Sequence, residues 1–196
     1  MKKISLSLLA LAAAVALVPF ASADTLNYPT VGSSTVPAGV PLDSVSGTAT
    51  STGGNPYTVS FTESVYSYDL AGDLAFVYSA TDTGGDFIDA FSTIFPALYA
   101  DATVDDISGA LLTNVIEDLT DGSISAGFTP ALSGAESTEF VIYTTAKTYG
   151  PGQVFFQDGS QTVVEGLVPT PEPGSLFLLG TGLLGLGLIV RQKLTN

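Results

Sequence analysis

Asp82-Thr83-Gly84 is the tripeptide in this sequence that would place a catalytic carboxylate. Two-aspartate proteases need a pair of such carboxylates sharing one proton, and the chain holds a single copy, followed by Gly85 and Asp86. A glycine-rich turn accounts for residues 82–86 without catalysis. Two carboxylates can also hydrolyse a glycosidic bond, but 18 acidic residues lie between positions 24 and 170, so no particular pair stands out. Trp is absent, which leaves Tyr57, Tyr66, Tyr68 and Tyr78 as aromatic surfaces for a sugar; alternating tyrosines on strands serve core packing equally well. Asp82, Asp86 and Asp89, or Asp101, Asp105 and Asp106, would offer oxygen ligands to Ca²⁺, without the spacing of an EF-hand or nonapeptide repeat. Solvated acidic turns are the default reading of both groups. With no Cys and no His, metal sites built on thiolate or imidazole and triads that use either residue are excluded. A P-loop, a dinucleotide fingerprint and a G-x-S-x-G elbow are also missing. No cofactor is expected.

The elements that must position these groups read as short β-strands. Residues 57–61 alternate apolar and polar, and beyond Glu63-Ser64 the apolar phase shifts onto Tyr66, Tyr68 and Leu70, as a bulge would cause. A turn at Ala71-Gly72-Asp73 leads into Leu74, Phe76 and Tyr78, which completes a hairpin. A second turn is expected at residues 82–86, then a strand over 87–95, although that stretch also fits helical spacing. The pattern of 104–118 is ambiguous, because Ile107, Leu111 and Leu112 also fit one face of a short helix. Alternation returns at Ile124, Ala126 and Phe128, at Phe140, Ile142 and Thr144, and in 153–157 and 162–167. Turns at close intervals between short β runs predict an all-β, sandwich-like domain over 57–167. Residues 24–56 are rich in Ser, Thr, Gly and Pro and precede it, with a short β segment open at 45–50.

Charge is uneven: between positions 24 and 170 only Lys147 opposes the acids, and the whole chain carries a formal charge of −14. Such a domain repels a phosphate backbone, so nucleic acid is not an expected partner. The basic residues lie mainly at the ends. Lys2 and Lys3 precede an apolar run over 4–20, and Ala21-Ser22-Ala23 offers small residues ahead of Asp24. That order is a secretory signal peptide (1–23), cut after Ala23 by signal peptidase once Sec machinery has exported the chain. At the other end, Val168-Pro169-Thr170-Pro171-Glu172-Pro173 carries prolines at alternating positions, which predicts an extended stalk kept out of helix and sheet. An apolar run over 176–190 follows, then Arg191-Gln192-Lys193. At ~1.5 Å per residue that run reaches about 22 Å, against a hydrocarbon core of about 30 Å, so a transmembrane helix there needs local thinning or the preceding residues. Basic residues beyond it would stay cytoplasmic, leaving the acidic domain outside.

Signal peptide, Pro-Glu-Pro, apolar helix and basic tail, in that order, resemble the PEP-CTERM sorting signal (168–196). Pro171, Glu172 and Pro173 match the family's tripeptide, Val168 and Pro169 its lead-in, and Arg191 and Lys193 its basic tail, although family tails are richer in Arg. The resemblance implies processing near Pro-Glu-Pro by exosortase, a membrane-embedded cysteine enzyme, and transfer from an inner-membrane intermediate to the cell envelope or surface. Residues 132–146 and 154–159 are similar to an ectodomain found among such proteins, for which no activity is implied. Together these readings predict a non-enzymatic surface or matrix component, associated with biofilm or extracellular polysaccharide. The alternative is a carbohydrate- or calcium-binding surface module.

Overall fold

The computed structural model of the chain describes residues 23–25, 35–95, 102–118, 121–170 and 181–182. Eleven strands follow in order: β1 (Ala23–Thr25), β2 (Asp43–Thr50), β3 (Tyr57–Ser67), β4 (Leu74–Gly85), β5 (Ile88–Ile94), β6 (Thr103–Gly109), β7 (Leu111–Asp118), β8 (Ser123–Leu132), β9 (Ser137–Tyr143), β10 (Tyr149–Asp158) and β11 (Ser160–Pro169). They form two antiparallel sheets, one in the order β1-β7-β8-β5-β10-β11 and the other β2-β3-β4-β9-β6. Among the described residues only Thr181 and Gly182 are helical, and no helix there is long and apolar enough to cross a membrane. The anticipated membrane segment and the tail beyond it otherwise lie outside the described residues, as do residues 1–22.

One core joins the sheets because their inward positions are aromatic. From the five-stranded sheet, Phe61, Phe76, Tyr78 and Phe140 meet Phe91, Phe95 and Phe156 of the six-stranded one. Ring centroids are 5.7 Å apart for Phe61–Phe156, 5.1 Å for Tyr78–Phe91 and 4.8 Å for Phe91–Phe140, with edge-on geometry in all three. Offset or edge-to-face rings are worth about 0.5–1.5 kcal/mol per pair beyond their buried area. The interlocking rings therefore also fix how the sheets face each other.

The β3–β4 hairpin forms where expected, and its turn shows the local chemistry. Asp69 Oδ1 accepts the amide of Asp73 at 2.9 Å, and Gly72 takes φ +83°, a conformation that costs glycine little. Lys147 adds an ion pair to Asp73 at 2.8 Å. Beyond the turn several expectations change. The strand does not shift phase after Glu63: Tyr57, Val59, Phe61, Glu63 and Val65 all point inward, and the irregularity sits at Thr58/Val59 instead. Tyr66 and Tyr68 therefore lie on the outer face, where Tyr68 packs edge-on against Tyr143 at 4.9 Å.

Residues 82–84 lie inside β4 rather than in a turn, and β4 runs to Gly85. Segment 104–118, ambiguous in the sequence, is two strands, β6 and β7. Here Val104 and Asp106 alternate inward, and buried Asp106 accepts the Leu112 amide at 3.0 Å where the chain crosses from one sheet to the other. Asn114, at φ +51°, lies where the β7 register shifts, which sends both Leu112 and Val115 into the core. The stretch 43–50 is strand β2, paired with β3 along its whole length. Finally, Val168 and Pro169 belong to β11, paired with Gly150 and Tyr149. β11 is the last strand of its sheet, and an edge strand tolerates proline because only one of its sides joins a ladder.

Candidate functional site

Asp82 is 1 % exposed and both its oxygens are engaged by backbone. Oδ1 accepts the Gly84 amide at 2.9 Å and Oδ2 the Gly134 amide at 2.7 Å. The second bond ties β4 to the turn between β8 and β9, where Gly134 and Ala135 both have positive φ. A carboxylate holding two amides in this way is a structural staple, which is how the Asp-Thr-Gly tripeptide is used here. Asp86 Oδ1 accepts the Phe87 amide at 2.9 Å, and Asp89 is exposed. Asp158 is nearly buried, and desolvation, then repulsion from Asp86 and Asp89, raises its carboxyl above the ordinary range. Among the described residues no group of three or more carboxylates is placed to hold a metal ion. Asp105 and Asp106 point to opposite sides of β6, and Asp101 lies outside the described residues. Of the four tyrosines considered as sugar platforms, Tyr57 and Tyr78 are core residues, whereas Tyr66 and Tyr68 face outward.

The chemically unusual carboxyl is Glu63, which the sequence reading passed over. It occupies an inward position of β3 between Phe61 and Val65 and is fully buried. Its Oε2 accepts the amide of Leu167 in β11 at 2.8 Å, a bond from one sheet to the other. Oε1 is buried on the side of the Tyr78 hydroxyl, Tyr78 being the cross-strand neighbour of Glu63 in β4. Burial is the main influence and pushes Glu63 up to about 8, outweighing the Leu167 amide and the Tyr78 hydroxyl, which act in the opposite direction. Gly166 makes the approach possible, since a Cβ there would stand 2.7 Å from Oε2 and 2.8 Å from Val154 Cγ2. The signal in the sequence was a single Glu at an inward position of an otherwise apolar alternation.

A solvent-open cleft of about 600 Å³ lies at this seam, lined by Val45, Pro151, Gly152, Gln153, Glu165, Gly166 and Leu167. Glu165 and Glu63 do not form a pair of catalytic carboxyls around it. Glu165 points to the outer face of its sheet and is exposed, whereas Glu63 is sealed on the inner side.

The sorting residues begin at the end of the same strand. Val168 is half-buried, Pro169 is buried, and beyond them the Thr170 amide donates to the Thr148 carbonyl at 2.9 Å. Thr148 Oγ1 returns a bond to the Thr170 carbonyl at 2.8 Å. The stalk expected from 168 onward is thus part of the sheet as far as Pro169 and is fastened at Thr170. Pro171, Glu172, Pro173, Arg191, Lys193 and Ala21 lie outside the described residues. Ala23 and Asp24 form part of β1, opposite Asp118 and Glu117.

The family model of the PEP-CTERM protein-sorting motif matches residues 169–192. The chain therefore carries this motif, which implies export, exosortase as processing partner and membrane-associated sorting toward the cell surface. No curated protein and no solved structure matches the chain.

Proposed function

We propose that this chain is a non-enzymatic surface or matrix protein whose folded β-domain is cargo delivered by its C-terminal signal. In this reading Sec machinery exports it, signal peptidase removes residues 1–23, and an inner-membrane intermediate is processed near Pro171-Glu172-Pro173. The carrying observation is the sorting motif at 169–192, which starts within the last strand of the domain. An acidic domain suits an exported surface, because like charges keep copies apart at low salt. Association with biofilm or extracellular polysaccharide is part of the same proposal. Doubly substituting Pro171→Ala and Glu172→Ala in an exosortase-bearing host tests the route. Surface display should be lost with the protein retained in the membrane fraction; unchanged display would overturn the assignment.

A second reading, carbohydrate binding, has support in the outer face of the five-stranded sheet. Cross-strand rows there run Ser46-Thr62-Ser79 and Thr48-Ser60-Thr81, and the Tyr68–Tyr143 pair lies toward the other end of the same face. Hydroxyls and aromatic rings are the groups that recognise neutral sugars. Binding on a glycan array that is lost in Tyr68→Ala would favour this reading, and an array with no hits would remove it.

A further inference from the structure

Strand β11 ends its sheet, so among the described residues the edge turned away from β10 has no partner strand. An edge amide left without an acceptor is costly when buried. At Leu167 the acceptor comes from the opposite sheet, as Glu63 Oε2 at 2.8 Å. The fit is specific: Gly166 must lack a side chain for the carboxyl to reach, and Val45, Val154 and Tyr78 surround it from β2, β10 and β4. The titratable group facing Glu63 is Tyr78, itself next to Thr93 of β5, and no cation acts on either. This contact lies two residues before the sorting motif begins. Between Thr170 and the apolar run at 176 stand only residues 171–175, which span at most about 17 Å when fully extended. Freeing β11 from Gly166 onward would add five more residues and roughly double that reach.

We propose that Glu63 is a positioning residue for sorting: it clamps the free edge of β11 at Leu167 and thereby sets the length of tether between the folded domain and the apolar segment presented to the membrane enzyme. The clamp is a property of the domain; its effect on processing rests on the sorting function proposed above. A neutral carboxyl suits the closed seam, whereas an ionised one has no counter-charge there and is relieved when β11 lifts toward the adjoining cleft. Closure therefore weakens as pH rises from the carboxyl's ordinary range toward about 8.

Amide hydrogen exchange of the full chain in detergent, at pH 6 and pH 9, tests the clamp when wild type is compared with Glu63→Gln. Gln retains an acceptor for Leu167 but cannot ionise. The wild-type to variant ratio of exchange rates cancels the intrinsic effect of base. At the end of β11 that ratio should grow by about 100-fold between the two pH values, if Glu63 titrates near 4.5 when open and about 8 when closed. It should stay constant at amides whose opening leaves Glu63 buried, such as those of the turn at residues 69–73, and the end of β11 should exchange faster than β4 and β9, which open only with the whole domain. A ratio at the end of β11 that does not change with pH, or wild-type protection there equal to that of β4 and β9 at pH 9, would overturn the clamp. So would a Leu167 amide that stays protected in Glu63→Leu, where the acceptor is gone. In an exosortase-bearing host, different processed fractions for wild type and Glu63→Gln support tether control. Equal fractions alongside different exchange overturn that half of the proposal, and processing of neither chain overturns the sorting route and leaves the exchange result to judge the clamp.

Discussion

Replacing Asp82 tests whether the Asp-Thr-Gly tripeptide is a staple or a reactive group. Asp82 holds the Gly84 amide at 2.9 Å and the Gly134 amide at 2.7 Å while itself buried. A hydrogen bond to a charged acceptor contributes about 1.5–3 kcal/mol, and an interior donor stripped of its acceptor adds a desolvation cost. Asp82→Asn keeps one acceptor oxygen but turns an NH₂ group toward the other amide, so one bond is lost and two donors are opposed. The expected loss is about 2–3 kcal/mol. Asp82→Ala loses both bonds and leaves a small void, with an expected loss of about 3–4 kcal/mol. Urea unfolding at constant pH reads both values, with the slope against denaturant unchanged if the unfolded state is unaltered. Exchange protection should fall first in the turn around Gly134. A loss below about 0.5 kcal/mol for both variants, the level of an ordinary surface substitution, would refute the staple.

Three further outcomes follow from the same geometry. Folded Glu63 keeps its proton up to about 8 while the unfolded chain releases it near 4.5, so the folded state binds more protons between those values and this group's contribution to stability falls as pH rises through that window. Glu63→Gln should remove that slope and be more stable than wild type by about 3 kcal/mol at pH 7, as measured by urea unfolding across pH 4–9. Gly166→Ala should cost about 1–3 kcal/mol through crowding against Glu63 and Val154, and a double-mutant cycle with Glu63→Ala should recover part of that loss. Millimolar calcium should leave the melting temperature of the domain unchanged, because both Asp82 oxygens are already occupied; a clear rise would revive the Asp82, Asp86, Asp89 reading.

Where polarity alternates cleanly, the strands were legible. Tyr57, Val59 and Phe61, then Leu74, Phe76 and Tyr78, announce a hairpin because a pleated strand sends successive side chains to opposite faces. Glu63 broke the reading for a physical reason: a charged side chain at an inward position looks like a change of phase, and only the Leu167 amide and the space above Gly166 explain its presence. Segment 104–118 stayed ambiguous because Ile107, Leu111 and Leu112 fit helical spacing, while the partner that makes Asp106 tolerable inside, the Leu112 amide, is visible only once β6 and β7 have joined their separate sheets. The prolines at 169 and 171 suggested a free stalk, yet pairing of Pro169 with Tyr149 depends on β11 being an edge, which is a matter of topology. The sorting motif needed no fold to be read, since its signal is the order of residue types along the chain.

The placement of β11 makes folding and delivery sequential. On the export route proposed above the chain emerges N-terminus first, and the six-stranded sheet is not complete until Ser160–Pro169 has left the translocation channel. By then the apolar run follows within a few residues. On that route the last act of folding takes place while the tail is still being threaded, and a domain that fails to seat its final strand would present the membrane with a different substrate from one that succeeds.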